Sequence, residues 1–146
     1  MDEKSKILII EDDTDLIAAL EKMLENRGYL IVTATDPDEG YEKLRKECPD
    51  MIILDVMFGS RGESKGFDFA TKIRTDRQHS STPILMLTAI NSLKPLFGFS
   101  PDIDGEFLPV DSFLDKPVKS EELFKKVEDL LKQKTSKWKN WPEKES

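Results

Sequence analysis

Cysteine and histidine are almost absent from this chain: Cys48 and His79 stand alone among 146 residues. A single thiol can form neither an internal disulfide nor a multi-cysteine zinc site. Cys48 falls at the end of a helical pattern and reads as a filler of core space. His79 lies in the polar stretch Asp76 to Thr82 and reads as an exposed loop residue, neither a phosphohistidine nor a metal ligand. Long apolar runs are missing as well, and the roughly 20 apolar residues of a membrane-crossing helix are nowhere approached. The charged start, Met1 to Lys6, is followed by only four apolar residues, which is no signal peptide. Positive charge is in deficit: 22 Lys+Arg against 29 Asp+Glu give −7, with a pI near 4.9. That balance argues against a protein that binds nucleic acid by general phosphate attraction. Internal repeats and low-complexity tracts are absent too. The expectation is a soluble cytoplasmic protein with no direct nucleic-acid or membrane partner.

The apolar residues present, 38% of the chain, are clustered rather than diluted. A chain of this length fits one domain that buries roughly 70% of its unfolded surface. Short apolar runs alternate with helix-period segments, the pattern of β-α units on a parallel sheet. Ile7 to Ile10 reads as a strand buried on both faces, followed by a helical stripe of Leu16, Ile17, Leu20, Met23 and Leu24 that Gly28 ends. Tyr29 to Thr33 reads as the second strand. Asp36-Pro37-Asp38-Glu39 opens a helix, with Asp36 as N-cap, Pro37 at the first position and Glu39 completing a capping box. That helix carries Tyr41, Leu44 and Cys48 on one face and stops before Pro49.

Met51 to Leu54 is the third strand and runs straight into Asp55. A loop from Phe58 to Gly66 leads to a helix carrying Phe67, Ala70 and Ile73. Pro83 opens a fourth strand, Ile84 to Leu87, which ends at Thr88. A short fifth strand, Ser112 to Leu114, ends at Asp115-Lys116-Pro117. Ser120-Glu121-Glu122 caps a last helix striped by Leu123, Val127, Leu130 and Leu131. The domain is expected over residues 1–133, with 134–146 a tail or an extension of that helix. Between Asn91 and Asp111 the regularity breaks, with Pro95, Pro101 and Pro109 forbidding one long helix.

The polar residues fall at the strand ends: Glu11-Asp12 after the first, Asp55 after the third, Thr88 at the fourth, Lys116 after the fifth. Parallel strands carry such residues to one edge, where open α/β sheets place their functional crevice. Like-charged carboxylates about 4 Å apart, at an effective dielectric of about 20, repel by roughly 4 kcal/mol per pair. Either some stay protonated or a cation sits among them. Oxygen ligands without histidine or thiolate favour Mg²⁺, which keeps room for a phosphate oxygen. With a hydroxyl at Thr88 and an ammonium at Lys116, the pocket suits a phosphoryl group that Asp55 could receive.

Ile7-Leu8-Ile9-Ile10-Glu11-Asp12-Asp13, then Ile53-Leu54-Asp55, Leu87-Thr88-Ala89 and Lys116-Pro117 resemble, in order and placement, a receiver domain of the two-component response regulators over most of residues 5 to 133. The resemblance implies a doubly wound five-stranded parallel sheet, a flavodoxin- and CheY-like (βα)5 α/β fold. It implies Asp55 as phosphoacceptor, Mg²⁺ on Glu11, Asp12, Asp55 and the backbone carbonyl of Met57, and Thr88 and Lys116 against the phosphoryl group. Phe113 falls at the aromatic position whose rotamer follows phosphorylation, and the bond before Pro117 is usually cis in the family. Strand register favours Glu11 and Asp12 as the acid pair, leaving Asp13 as a loop or N-cap residue. The implied partners are a histidine kinase or histidine phosphotransfer protein and a separate effector, and a homodimer is compatible with the pattern. The implied activity is a phosphoacceptor's, with weak autophosphatase activity at most, rather than an enzyme's.

Two departures stand out. The loop after Asp55 is a few residues longer than usual, and the stretch from Thr88 to Lys116 lacks the usual amphipathic fourth helix, so that helix is expected to be irregular or lost. The chain ends a short segment after its last helix, so a stand-alone receiver without an output domain is expected. Trp138 and Trp141 either extend the last helix's stripe or anchor a partner, and residues 91–111 are either a packed loop or a binding surface. A phosphorylation-independent adaptor working through residues 91–111 remains the alternative. A Mg²⁺ phosphatase using an aspartyl nucleophile wants an acid where Met57 stands, and dinucleotide binding wants a glycine-rich turn where Glu11-Asp12-Asp13-Thr14 stands.

Overall fold

The computed structural model describes residues 4–55, 65–88 and 110–132, with the backbone alone described for 65–68 and 88. Its elements are β1 (Lys6–Ile10), α1 (Thr14–Glu25), β2 (Leu30–Ala34), α2 (Pro37–Glu47), β3 (Met51–Asp55), α3 (Lys65–Arg74), β4 (Ile84–Thr88), β5 (Ser112–Asp115) and α4 (Ser120–Lys132). The strands form one parallel sheet in the order β2-β1-β3-β4-β5, reversing direction of growth at β1.

The apolar strands are continuous because both faces of the sheet are covered. Leu8, Ile10, Ile52, Leu54, Ile84 and Met86 face Leu44 of α2 and Phe69, Ala70 and Ile73 of α3. The residues between them, Ile7, Ile9, Met51, Ile53, Leu85 and Leu87, face α1 through Ile17, Leu20 and Leu24, and α4 through Leu123, Val127 and Leu130. The doubly wound sheet expected from the sequence is therefore the fold.

Local chemistry sets the ends. Asp13 caps α1, accepting from the N–H groups of Asp15 and Leu16. Asp36 caps α2 by accepting from Glu39 N–H at 2.8 Å, while the Glu39 carboxylate reaches back to Thr35 N–H at 2.9 Å, one residue earlier than a capping box requires. Gly28 has φ +93°, the left-handed conformation glycine adopts without strain, and turns the chain into β2. Strand β2 begins one residue later than the apolar pattern predicts because Tyr29 N–H donates to Leu24 O and closes the end of α1.

Two sequence expectations are corrected. Cys48 is exposed: it takes a left-handed conformation (φ 48°, ψ 61°) at the end of α2, and that step breaks the periodicity that would have kept it beneath Leu44. His79 is buried, at 4% exposure, because the polar segment 76–82 folds into successive turns over the buried Arg74. The regions bearing on the fourth helix, the 91–109 surface, Met57, Trp138 and Trp141 lie outside the described residues.

Candidate functional site

The register of the sheet assembles the site. Ile10 pairs with Leu54, so Glu11 and Asp55 leave or end adjacent strands side by side. Asp55 pairs with Leu87, and Thr88 with Asp115, which brings the end of β4 and the residue after β5 to the same edge. Carboxylate oxygens of Glu11, Asp12 and Asp55 lie within 4.8 Å of one another. Glu11 and Asp55 are buried and Asp12 is exposed, so the cluster opens to solvent on one side. Asp13 points elsewhere, into its capping bonds on α1.

Lys116 spans the two buried acids: its ammonium is 3.4 Å from Asp55 Oδ1 and 3.4 Å from Glu11 Oε1. Glu11 Oε2 accepts from Asp13 N–H at 3.1 Å. Glu11 Oε1 is buried and, despite the nearby ammonium, has no hydrogen bond among the described residues. Burial, and next the charge of Asp55, push the Glu11 carboxyl up to about 7, against the opposing pull of Asp13 N–H and Lys116. With Glu11 ionised, the form a bound cation favours, three carboxylates and one ammonium would sum to −3 + 1 = −2. An all-oxygen donor set of that charge, with one buried oxygen paired to the ammonium but without a hydrogen bond, fits a hard divalent cation. Lys116 precedes a cis Pro117. Thr88 ends β4 at this edge, and Phe113, two residues into β5, is half-buried against the cluster that includes Met86.

A model of the response regulator receiver domain matches residues 7–128. The chain belongs to the response regulator receiver domain family. Receiver domains act in two-component signalling with histidine kinases, and are phosphoacceptors rather than classical enzymes. The "probable transcriptional regulator ycf27" of Guillardia theta is 32% identical over 132 residues, covering 90% of this chain and 47% of that protein. The chain spans about half the length of the curated relatives it matches. Among solved structures, a putative response regulator from Chloroflexus aurantiacus is 27% identical with a TM-score of 0.76, covering 89% of this chain and 99% of that one. The receiver domain of sensor histidine kinase PA1611 from Pseudomonas aeruginosa, described with magnesium in its active-site cleft, shares the fold at a TM-score of 0.72 and 22% identity, over 89% of this chain and 99% of that one. The acidic triad of this receiver is of the kind that holds Mg²⁺, and no helix among the described residues is long and apolar enough to cross a membrane.

Two polar residues of structural weight escaped the sequence pattern. Arg74 and Asp111 form a buried ion pair at 2.8 Å, with side chains 0% and 2% exposed. A signal for Arg74 existed: it lies four residues after the buried Ala70 on α3, hence on the same face. Asp111 carried none, since it reads as the end of the irregular segment.

Proposed function

We propose that this receiver is a phosphorylation-operated switch with Asp55 as its phosphoacceptor. The observation that carries the reading is the convergence of Glu11, Asp12 and Asp55 within 4.8 Å, with the Lys116 ammonium 3.4 Å from two of them, in a chain of this family. The donor is a phosphohistidine on a histidine kinase or a histidine phosphotransfer protein. An Asp55 carboxylate oxygen attacks phosphorus. The new O–P bond forms as the N–P bond breaks, and the electron pair leaves on the imidazole nitrogen. Lys116, which already faces Asp55, pairs with the added charge, and the Thr88 hydroxyl hydrogen-bonds a phosphoryl oxygen. Water later cleaves the acyl phosphate, returning the Asp55 carboxylate and inorganic phosphate.

Glu11, Asp12 and Asp55, with the backbone carbonyl of Met57, are the proposed holders of Mg²⁺. When bound, the ion supplies positive charge against the phosphoryl oxygens and offsets the repulsion among the acids. The Pseudomonas receiver of the same fold is described with magnesium in its active-site cleft, which is in keeping with a magnesium site here. Phosphorylation adds up to about two negative charges at the strand ends. Thr88 and Lys116 move toward that charge, and Phe113, on β5 three residues before Lys116, changes rotamer and alters the surface that a separate effector reads.

The test is intact-protein mass after incubation with acetyl phosphate, with and without Mg²⁺, on wild type and Asp55→Asn. A gain of one phosphoryl group that needs Mg²⁺ and vanishes in the variant is expected. An unchanged mass in every arm, or an equal gain in Asp55→Asn, overturns the assignment.

A further inference from the structure

Strand β5 is short and, among the described residues, sits at the edge of the sheet, paired only with β4 over Ser112–Asp115. Only Leu114 of its four residues is buried, so side-chain burial alone specifies its register weakly. Register matters at β5 because Lys116 follows directly. A slip of one residue would carry its ammonium about 3.3 Å along the strand, and a slip of two, which preserves the faces, about twice that.

Something other than the ladder fixes the start of β5. Asp111 N–H donates to Ile84 O at 3.0 Å, and Ile84 N–H donates to Asp111 Oδ2 at 2.8 Å. One residue thus takes both backbone groups of Ile84, its carboxylate standing where a ladder carbonyl would be. This locks Asp111 opposite Ile84, and hence Ser112 opposite Leu85. The carboxylate is itself held by the Arg74 guanidinium, which donates to Asp111 Oδ2 at 2.8 Å, to Ser80 O at 3.1 Å and to Thr82 O at 2.7 Å. The geometry points to Asp111 and Arg74 as positioning residues: their buried pair sets the register of β5 and thereby places the Lys116 ammonium against the phosphoacceptor. This inference rests on the Asp55 reading above and names the residues, at the far end of the strand, on which its geometry depends.

Removing only one charge breaks the buried pair and mixes the cost of the remaining buried charge with any change of register, so the informative variants change both. Arg74→Met with Asp111→Leu removes the lock, whereas Arg74→Met with Asp111→Asn keeps a side-chain oxygen for Ile84 N–H. Each pair is made in wild type and in Lys116→Ala, on the full chain. Mg²⁺-dependent phosphorylation by acetyl phosphate is timed, and amide NOEs between β4 and β5 are recorded. The Leu pair is expected to slow phosphorylation about 10- to 100-fold, the cost of a misplacement of an ångström or more. The Asn pair is expected to recover most of that rate, and the Leu pair to slow Lys116→Ala no further. Equal slowing in both backgrounds, or no slowing in wild type, overturns the inference. If wild type itself takes no phosphoryl group, the Asp55 reading fails. The register is then judged from the NOEs alone: wild-type cross-peaks between Leu85 and Ser112 in the Leu pair overturn it, and their loss or displacement supports it. A Leu pair that does not fold leaves the same judgement to Asp111→Ala made singly, which takes the oxygen from Ile84 N–H. Wild-type rates and NOEs in it overturn the inference, and a shift that Lys116→Ala absorbs supports it.

Discussion

Replacing Gly40 by alanine would normally stabilise a helix, and here the structure predicts the reverse. Gly40 lies inside α2, where alanine is favoured over glycine by roughly 1 kcal/mol. A Cβ built at Gly40, however, would stand 2.6 Å from Ile10 Cδ1 and 3.0 Å from its Cγ1. Those distances are about 1 Å inside ordinary carbon contact. Ile10 is fully buried between neighbouring strands, so its side chain has little room to retreat. Overpacking of this kind costs about 1–3 kcal/mol. Against the gain in helix propensity, the net is about 1 kcal/mol of destabilisation. Urea denaturation of Gly40→Ala should show it as a lower midpoint with an unchanged slope. Ile10→Val removes Cδ1 and by itself costs about 0.5–1.5 kcal/mol. Combined with Gly40→Ala it should cost less than the two added, with a coupling of about 1 kcal/mol. A Gly40→Ala variant more stable than wild type would refute the reasoning, as would strict additivity in the cycle. Ile10 directly precedes Glu11, so the same alanine should also weaken Mg²⁺ binding, and Ile10→Val should partly restore it.

His79 is the only histidine, so its titration can be read cleanly. Burial pushes its pKa below the usual value, Asp76 opposes the shift and Arg45 reinforces it. Below about pH 6.5 the unfolded chain therefore takes up a proton the native state resists, and stability falls as pH drops from there toward the native pKa, by at most about 1.4 kcal/mol per pH unit. His79→Gln should flatten that slope in urea titrations from pH 7.5 to 5, and parallel curves would sink the idea. Mg²⁺ should raise the melting temperature, with about 2.7 kcal/mol of added stability at a hundredfold excess over Kd. An equal rise in an Asp12→Asn, Asp55→Asn double variant would count against the proposed cation site. At the β2 edge, Lys43 Nζ donates to Thr33 O at 2.9 Å and Glu39 accepts from Thr35 N–H at 2.9 Å, covering one edge carbonyl of an uncharged strand and the N–H just past its end. Glu39→Ala with Lys43→Ala should sediment as a larger species than wild type at the same concentration. A monodisperse variant with the wild-type coefficient would contradict that role.

The difference between what could and could not be read from the sequence is physical. Strands β1, β3 and β4 were legible because burial on both faces leaves an unbroken apolar run, a pattern no surface segment shares. Helix α1 was legible from its apolar stripe and the Gly28 that ends it, and α2 from Asp36 and Pro37, which act within three residues of themselves. The acid cluster was legible for a related reason: a carboxylate closing a buried strand needs a partner, and parallel topology says where partners collect. His79 and Cys48 failed because their environments are set by turns of a few residues, where one left-handed step or one buried guanidinium redirects a side chain.

Arg74 and Asp111 failed for a deeper reason. A charged residue is read as exposed unless its partner is known, and here the partner lies 37 positions away. The pair is worthwhile only if something needs the place it holds, since a buried ion pair stabilises little compared with an apolar substitute. What it holds is the start of an edge strand whose far end delivers Lys116 to Asp55. The acid cluster and this buried pair occupy opposite ends of the same sheet. Strand ends that converge on chemistry advertise themselves in sequence, because reactive side chains stand out after apolar runs. The ends that fix register do not, because a hydrogen bond to Ile84 N–H looks like nothing until the strands are laid side by side.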